Sequence, residues 1–334
     1  MRVLVIGGTR FIGFYTVRRL IEQGHEVMLF HRGQTVSTLP DGVSRLLGDR
    51  RELAGYRSEL AAWGPDVVLD MVPYTEQDAR TVMQTFQGIA ARVVAISSCD
   101  VYRAFGRLHG LEDGAVEQGP LTEDAPLRER LFAYRGKRNG PDDYEKILVE
   151  RVVMGDPELP GTVLRLPAVY GPHDYQHRMY FFLRRMLDKR PAILLEEGLP
   201  EWRWTRGYVE NVADAIALAV SDGRAAGRIY NVGEPAAMSM REWIQAIAQA
   251  VGWSGEIVSV PADRLPEALR WNIHAAQHIV CDSSSMRREL GYQERISLEE
   301  SIRRTVEWES LHPPENGSSA LSDYAAEDAV LASL

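Results

Sequence analysis

Directly after the apolar run Arg2–Ile6 the chain reads Gly7-Gly8-Thr9-Arg10-Phe11-Ile12-Gly13 and then takes on a helical pattern. Glycines so spaced between a strand and a helix let backbone N–H groups and the helix N-terminus face a pyrophosphate. Gly7 permits the tight turn and Gly13 a close approach of helix to strand, while Thr9, Arg10, Phe11 and Ile12 complete the gripping loop. Arg10 replaces the middle glycine of G-x-x-G-x-x-G and brings a long cation to the site. The second apolar run ends in His31-Arg32-Gly33, where an NAD site would carry Asp or Glu for the ribose 2′-hydroxyl. Arg32, with Arg10, suits a 2′-phosphate instead, so NADP(H) is favoured over NAD(H). Asp49 follows the third run, where its carboxylate would meet the adenine amino group.

A second group of side chains follows residue 171. His173, Asp174, His177 and Arg178 come just after a strand-like run, and Trp202, Arg203, Trp204 and Arg206 alternate aromatic with cation. Such a segment can stack on a sugar or base and hold a phosphate, or it can simply pack. His173 and His177 lack a well-placed third ligand, so no metal site is expected. Of 38 basic residues only Lys137, Lys146 and Lys189 are lysine. A lysine in this chain therefore marks a place where a compact ammonium was wanted rather than a planar fork.

Elements that could hold these residues are legible. Short apolar runs at Arg2–Ile6, Glu26–Phe30, Val43–Leu47, Asp66–Asp70, Arg92–Ser97 and Thr162–Leu166 read as strands buried on both faces. Helical stretches such as Phe11–Gln23 and Thr75–Gly88 separate them, and this alternation means a parallel, doubly wound α/β sheet. Beyond Gly171 the rhythm changes, with helices expected at His177–Lys189, Asn211–Asp222 and Ser239–Val251, and further pieces at Asp263–Trp271 and Ser297–Trp308. Residues 1–170 with roughly 208–236 make the Rossmann domain. Residues 171–207 and 237–310 make a smaller C-terminal α/β substrate-binding domain, and 311–334 a flexible tail. The net charge of −9 opposes a nucleic-acid partner, which needs a basic surface. Two cysteines exclude a disulfide framework. No stretch of about 18 apolar residues spans a membrane, and no signal peptide is evident, so a cytoplasmic protein with a small-molecule substrate is expected.

Seven landmarks in order resemble the extended short-chain dehydrogenase/reductase family, the NAD-dependent epimerases and dehydratases of nucleotide sugars. They are Gly7–Gly13, Ile96-Ser97-Ser98-Cys99-Asp100-Val101-Tyr102, Lys146–Glu150, Leu164–Pro172, Tyr208–Ala215, Tyr230–Gly233 and Arg288–Tyr292. The Gly-Gly-Thr-Arg-Phe-Ile-Gly form also resembles an atypical subgroup that includes chloroplast stem-loop RNA-binding proteins. The family resemblance implies a Rossmann fold, a nicotinamide cofactor, and hydride transfer on a hydroxyl or ketone of a sugar, as an epimerase, dehydratase or reductase. It makes Ser98 the orienting hydroxyl, Lys146 the ammonium that holds the nicotinamide ribose, and Pro167 a neighbour of the nicotinamide. Tyr134, His173, Trp204 and Arg206 fall on the substrate side, and a homodimer through two helices of the nucleotide domain is the family habit. The tyrosine expected four residues before the lysine is here Asp142. Tyr144, two residues before Lys146, lies about 200° round a regular helix from it. Three readings stay open: a late helix start that lets Tyr144 reach the site, proton transfer by Asp142 or Tyr134, or a regulator that binds cofactor without the chemistry.

Overall fold

A computed structural model of the chain describes residues 1–35, 39, 42–136, 142–315 and 324–334. The nucleotide half runs β1 (Arg2–Ile6), α1 (Phe11–Glu22), β2 (Glu26–His31), β3 (Ser44–Leu47), α2 (Arg57–Trp63), β4 (Val67–Asp70), α3 (Glu76–Phe86), β5 (Arg92–Ser98), α4 (Arg103–Leu108), α5 (Lys146–Met154) and β6 (Gly161–Leu166). There follow β7 (Ala168–Tyr170), α6 (Tyr180–Leu187), β8 (Ala192–Glu196), β9 (Arg206–Tyr208), α7 (Val209–Ser221), β10 (Ile229–Asn231), α8 (Met240–Val251), β11 (Glu256–Val260), α9 (Ser284–Leu290), α10 (Leu298–Leu311) and α11 (Tyr324–Ala332).

Seven strands form one parallel sheet in the order β3-β2-β1-β4-β5-β6-β10. The order reverses between β1 and β4, and ligands of such sheets bind at that switch point, outside the carboxyl ends of the strands. Strands β1, β4, β5 and β6 are mostly apolar because both faces are covered by helices, with Val3, Leu4, Val5, Val68, Leu69, Val93 and Val94 fully buried. Two small parallel pairs, β8 with β11 and β7 with β9, lie outside this sheet.

Departures from the sequence reading have local causes. The helix expected from His177 begins at Tyr180, because His177 sits at φ +47°, outside helical space. Residues 263–271 give two single 3-10 turns, Ala262–Arg264 and Glu267–Leu269, each set off by a preceding proline. Past residue 311 a flexible tail was the expectation, yet α11 docks on α6. Arg185, buried to 1% side-chain exposure, pairs with Glu327 at 2.5 Å and lies 3.9 Å from the centre of the Phe181 ring. Tyr324 Oη donates to Asp188, and Val330 joins Leu194, Val260, Leu265 and Leu269 in a separate core. Glu327→Ala would strand the Arg185 charge, so it should cost about 3–5 kcal/mol. A lowered urea midpoint, partly restored by adding Arg185→Met, is the result to look for. Among the described residues no helix is long and apolar enough to cross a membrane.

Candidate active site

The carboxyl end of β1 makes the first part of the site. Gly7 and Gly8 both take left-handed backbone angles, φ +90° and +86°. A Cβ on Gly13 would stand 2.5 Å from the Gly8 Cα, so the first turn of α1 lies directly on the glycine loop. Arg10 occupies the N-cap of α1 with no side-chain cap, so the leading N–H groups of the helix are left for a ligand. The Arg10 guanidinium itself reaches Thr35 Oγ1 at 3.2 Å. At the end of β2, His31 Nδ1 accepts the Gly33 N–H at 3.2 Å, which leaves the neutral ring proton on Nε2. That nitrogen is buried without a protein hydrogen-bond partner among the described residues, as an orphan donor beside a ligand would be. Arg32 is exposed at the same edge. A dinucleotide fits this cradle: the glycines and the open helix end for its diphosphate, His31 and Arg32 for its adenosine ribose.

The second part gathers at the ends of β4, β5 and the start of α5. Lys146 is buried, and its ammonium donates to Pro73 O (2.7 Å) and Ile96 O (2.9 Å), which leaves a third N–H. Burial lowers its pKa from 10.5 to about 8, against the pull of Asp100 and Asp70. Its Nζ stands 5.2 Å from the ring centre of Tyr74 and 5.7 Å from that of Tyr144. The hydroxyls of Tyr134 and Tyr144 both donate to Asp100 Oδ2 at 3.2 Å, and the two rings meet edge to face at 5.4 Å. Asp100 is buried, its other oxygen has no hydrogen-bond partner among the described residues, and burial raises its pKa against the attraction of Arg128 and Lys146. Ser98, partly exposed at the end of β5, accepts the Asp100 N–H at 3.2 Å.

Tyr144 reaches Lys146 because α5 starts late. Glu145 is the N-cap, in extended backbone at φ −157°, so Tyr144 lies outside the helix and the 200° offset does not apply. A buried ion pair holds that arrangement. Glu145 binds Arg128 at 2.9 Å and accepts the N–H groups of Phe132 and Ile147, while Arg128 also donates to the Asp100 carbonyl. One pair thus ties the turn carrying Asp100, the loop carrying Tyr134 and the first turn of α5.

Other expected residues are placed differently. Asp142 is exposed, its carboxylate accepts the Gly136 N–H, and it is not brought to Lys146. Its neighbour Pro141 lies outside the described residues. The Asp49 carboxylate caps the 3-10 turn that begins at Arg50, taking the Arg51 N–H at 2.9 Å. Pro167 sits between β6 and β7, packed where Gly207 and Gly233 leave room. The Trp-Arg segment is drawn inward rather than laid open to a ligand. Trp202 is buried and donates to Gln277 O, Arg203 pairs with Glu242, and Arg206 donates to Trp204 O and Met238 O above the Trp243 ring. Burial lowers the Arg206 pKa to about 10. Trp204 is half-buried against Trp202, its Nε1 without a hydrogen-bond partner among the described residues. His173 wedges between Phe14, Tyr15 and Trp308.

Four participants carry no role in the sequence reading. Asp100 has one available signal, an acid two residues beyond Ser98. Arg128 and Glu145 have none, because their pairing joins positions 17 residues apart. Arg50 is also unforeseen: it is bidentate to Asp70 (3.0 and 2.9 Å) and joined by Asp78 at 2.9 Å, fixing the loop after β4 beneath Lys146.

Known proteins share this architecture. A 2′-dehydrokanamycin reductase of Streptomyces kanamyceticus is 28% identical over 276 residues, which cover 80% of this chain and 72% of that protein. A chloroplast stem-loop binding protein of Arabidopsis thaliana is 25% identical over 265 residues, 75% of this chain and 64% of that one. The solved dTDP-glucose 4,6-dehydratase of Bacillus anthracis, in complex with NAD, superposes with a TM-score of 0.69 at 18% identity, covering 94% of this chain and 97% of that one. The family model described as NAD dependent epimerase/dehydratase matches residues 3–233, from the first strand through the glycine cradle, Ser98 and Lys146 to the end of the sheet. By that match over most of its length, this chain belongs to the NAD dependent epimerase/dehydratase family.

Proposed function

We propose that the protein is an NADP(H)-using enzyme that oxidises or reduces a hydroxyl or ketone on a sugar or sugar-like substrate. The observation that carries this reading is the group Lys146, Tyr144, Tyr134, Asp100 and Ser98 at the carboxyl end of β5, on the same side of the sheet as the glycine cradle. A bound nicotinamide would supply the hydride chemistry at the reacting carbon. Tyr144 gives or takes the proton of the reacting oxygen, with the Asp100 carboxylate accepting its hydrogen bond and Lys146 beside its ring. Ser98 orients that oxygen, and Tyr134 shares the Asp100 carboxylate. The regulator reading rests on the missing tyrosine at position 142; in this proposal Tyr144 beside Lys146, with Tyr134 on the same carboxylate, supplies what that slot lacks.

Segments 171–207 and 237–310 form the substrate side in this proposal. Sugar chemistry is supported by the names of the relatives, a dehydrokanamycin reductase among them. The cofactor choice rests on Arg32 and Arg10 at the ribose edge, where no carboxylate ends β2. Cytoplasmic residence and a homodimer complete the proposal, and sedimentation of the purified chain tests the latter. Calorimetry with NAD⁺, NADH, NADP⁺ and NADPH tests the whole. NADPH should bind about tenfold more tightly than NADH, and Arg32→Ala should erase the difference. Four flat titrations on folded protein would sink the proposal; tighter NADH would sink the cofactor choice alone.

A further inference from the structure

The loop between β7 and α6 is held with unusual firmness. His173 and His177 both adopt left-handed backbone angles, φ +68° and +47°, which cost free energy and persist only where surroundings enforce them. Between them Asp174 is fully buried; it accepts the Gln176 N–H at 3.0 Å and the Arg178 guanidinium at 2.8 and 2.9 Å. His173 touches Phe14 and Tyr15 of α1 and Trp308 of α10, and His177 stacks on Trp308 at 5.7 Å and 21°. The loop is thereby riveted to the helix that starts at the glycine cradle and to α10.

What this fixed loop displays is Tyr175. Its side chain is 69% exposed, the second most exposed large apolar or aromatic residue among those described, after Leu311. The ring nonetheless stands edge-on to Phe11, 6.4 Å between centres at 87°. Phe11 is the first residue of α1, inside the glycine loop and itself at φ +38°. Gln176 Nε2 donates to the Tyr175 oxygen at 3.4 Å, so the phenol proton is free to point elsewhere. A solvent-facing tyrosine on a rigid loop is a low-entropy contact surface, with two side-chain torsions to fix.

We propose that Tyr175 is a cofactor-contacting residue, its phenol closing over the diphosphate of the bound dinucleotide opposite the glycine loop. The assignment rests on the dinucleotide reading above. It gives the cradle a second wall: backbone N–H groups on one side and a neutral O–H donor on the other, supplied by the segment that leads into α6. Because the diphosphate is common to both cofactors, the contact strengthens NADPH and NADH binding equally and leaves the choice between them to Arg32.

The test is calorimetric binding of NADPH and NADH to wild-type protein, Tyr175→Phe and Tyr175→Ala, with melting temperature measured on each unliganded protein. Tyr175→Ala should raise both dissociation constants about tenfold and leave the melting temperature unchanged, since the ring is exposed. Tyr175→Phe should lose most of that factor, because the hydroxyl is the group at work. Dissociation constants within twofold of wild type in Tyr175→Ala would overturn the assignment while leaving the dinucleotide reading intact. A loss confined to NADPH would also overturn it, by moving the residue to the ribose phosphate. Wild-type protein that binds neither cofactor would overturn this assignment and the reading beneath it together.

Discussion

Lys146→Met lowers kcat/KM by about three orders of magnitude, within the range of a lost proton-transfer apparatus, while dinucleotide affinity falls far less. The expectation follows from where the ammonium sits. It stands beside Tyr144, with Asp100 as the carboxylate both tyrosines share, and is anchored by two carbonyls of different strands and loops. Tyr144→Phe should cost about as much, and Tyr134→Phe less, because Tyr134 lies one ring further from Lys146. The pH profile adds a signed check. The folded pKa of Lys146 lies below its ordinary value, at about 8, so the charged form is present below that pH and disappears above it. Activity should therefore fall as pH rises through about 8, and a profile level to pH 9.5 would contradict a role for the ammonium. If Tyr144→Phe kept full kcat while Asp142→Asn lost it, the proton-transfer assignment would be wrong.

Gly13→Ala removes dinucleotide binding by about hundredfold or more, the worth of two hydrogen bonds to a charged phosphate. The new Cβ would lie 2.5 Å from one backbone atom of Gly8 and 2.9 Å from another, and backbone cannot swing aside as a long side chain can. The helix must therefore lift off the loop, which turns its leading N–H groups away from the diphosphate. Calorimetry with NADPH on folded variant protein decides it; unchanged affinity would show that the cradle is not the diphosphate site. Gly55→Ala, with open space around its Cβ, is the matched control.

Strands buried on both faces announce themselves because most of their residues must be apolar, and the central sheet follows from that pattern. Lys146 was legible for a compositional reason, scarcity of lysine. The choice among Tyr144, Tyr134 and Asp142 was not, because the position of Tyr144 depends on where α5 begins, and that is set by Glu145 held in extended backbone through Arg128. Periodicity assumes a helix that continues; a buried ion pair from an irregular loop stopped this one short. Trp202 and Arg206 belong to a choice the sequence left open. Alternation allowed a ligand face or simple packing, and Gln277 and Met238, far along the chain, take their hydrogen bonds. The α11 helix is invisible in a small, acidic composition, since one buried partner for Arg185 holds it.

The sheet order has a consequence for synthesis. β10 pairs with β6 across 66 residues, and among the described residues no other strand covers that side of β6. On the ribosome, β6 must wait with an unpaired edge until Asn231 has emerged, and everything from β7 to α7 has to be made in the interval. Nascent chains stalled between 170 and 230 are therefore the lengths most in need of a chaperone, and those most prone to pair wrongly with one another.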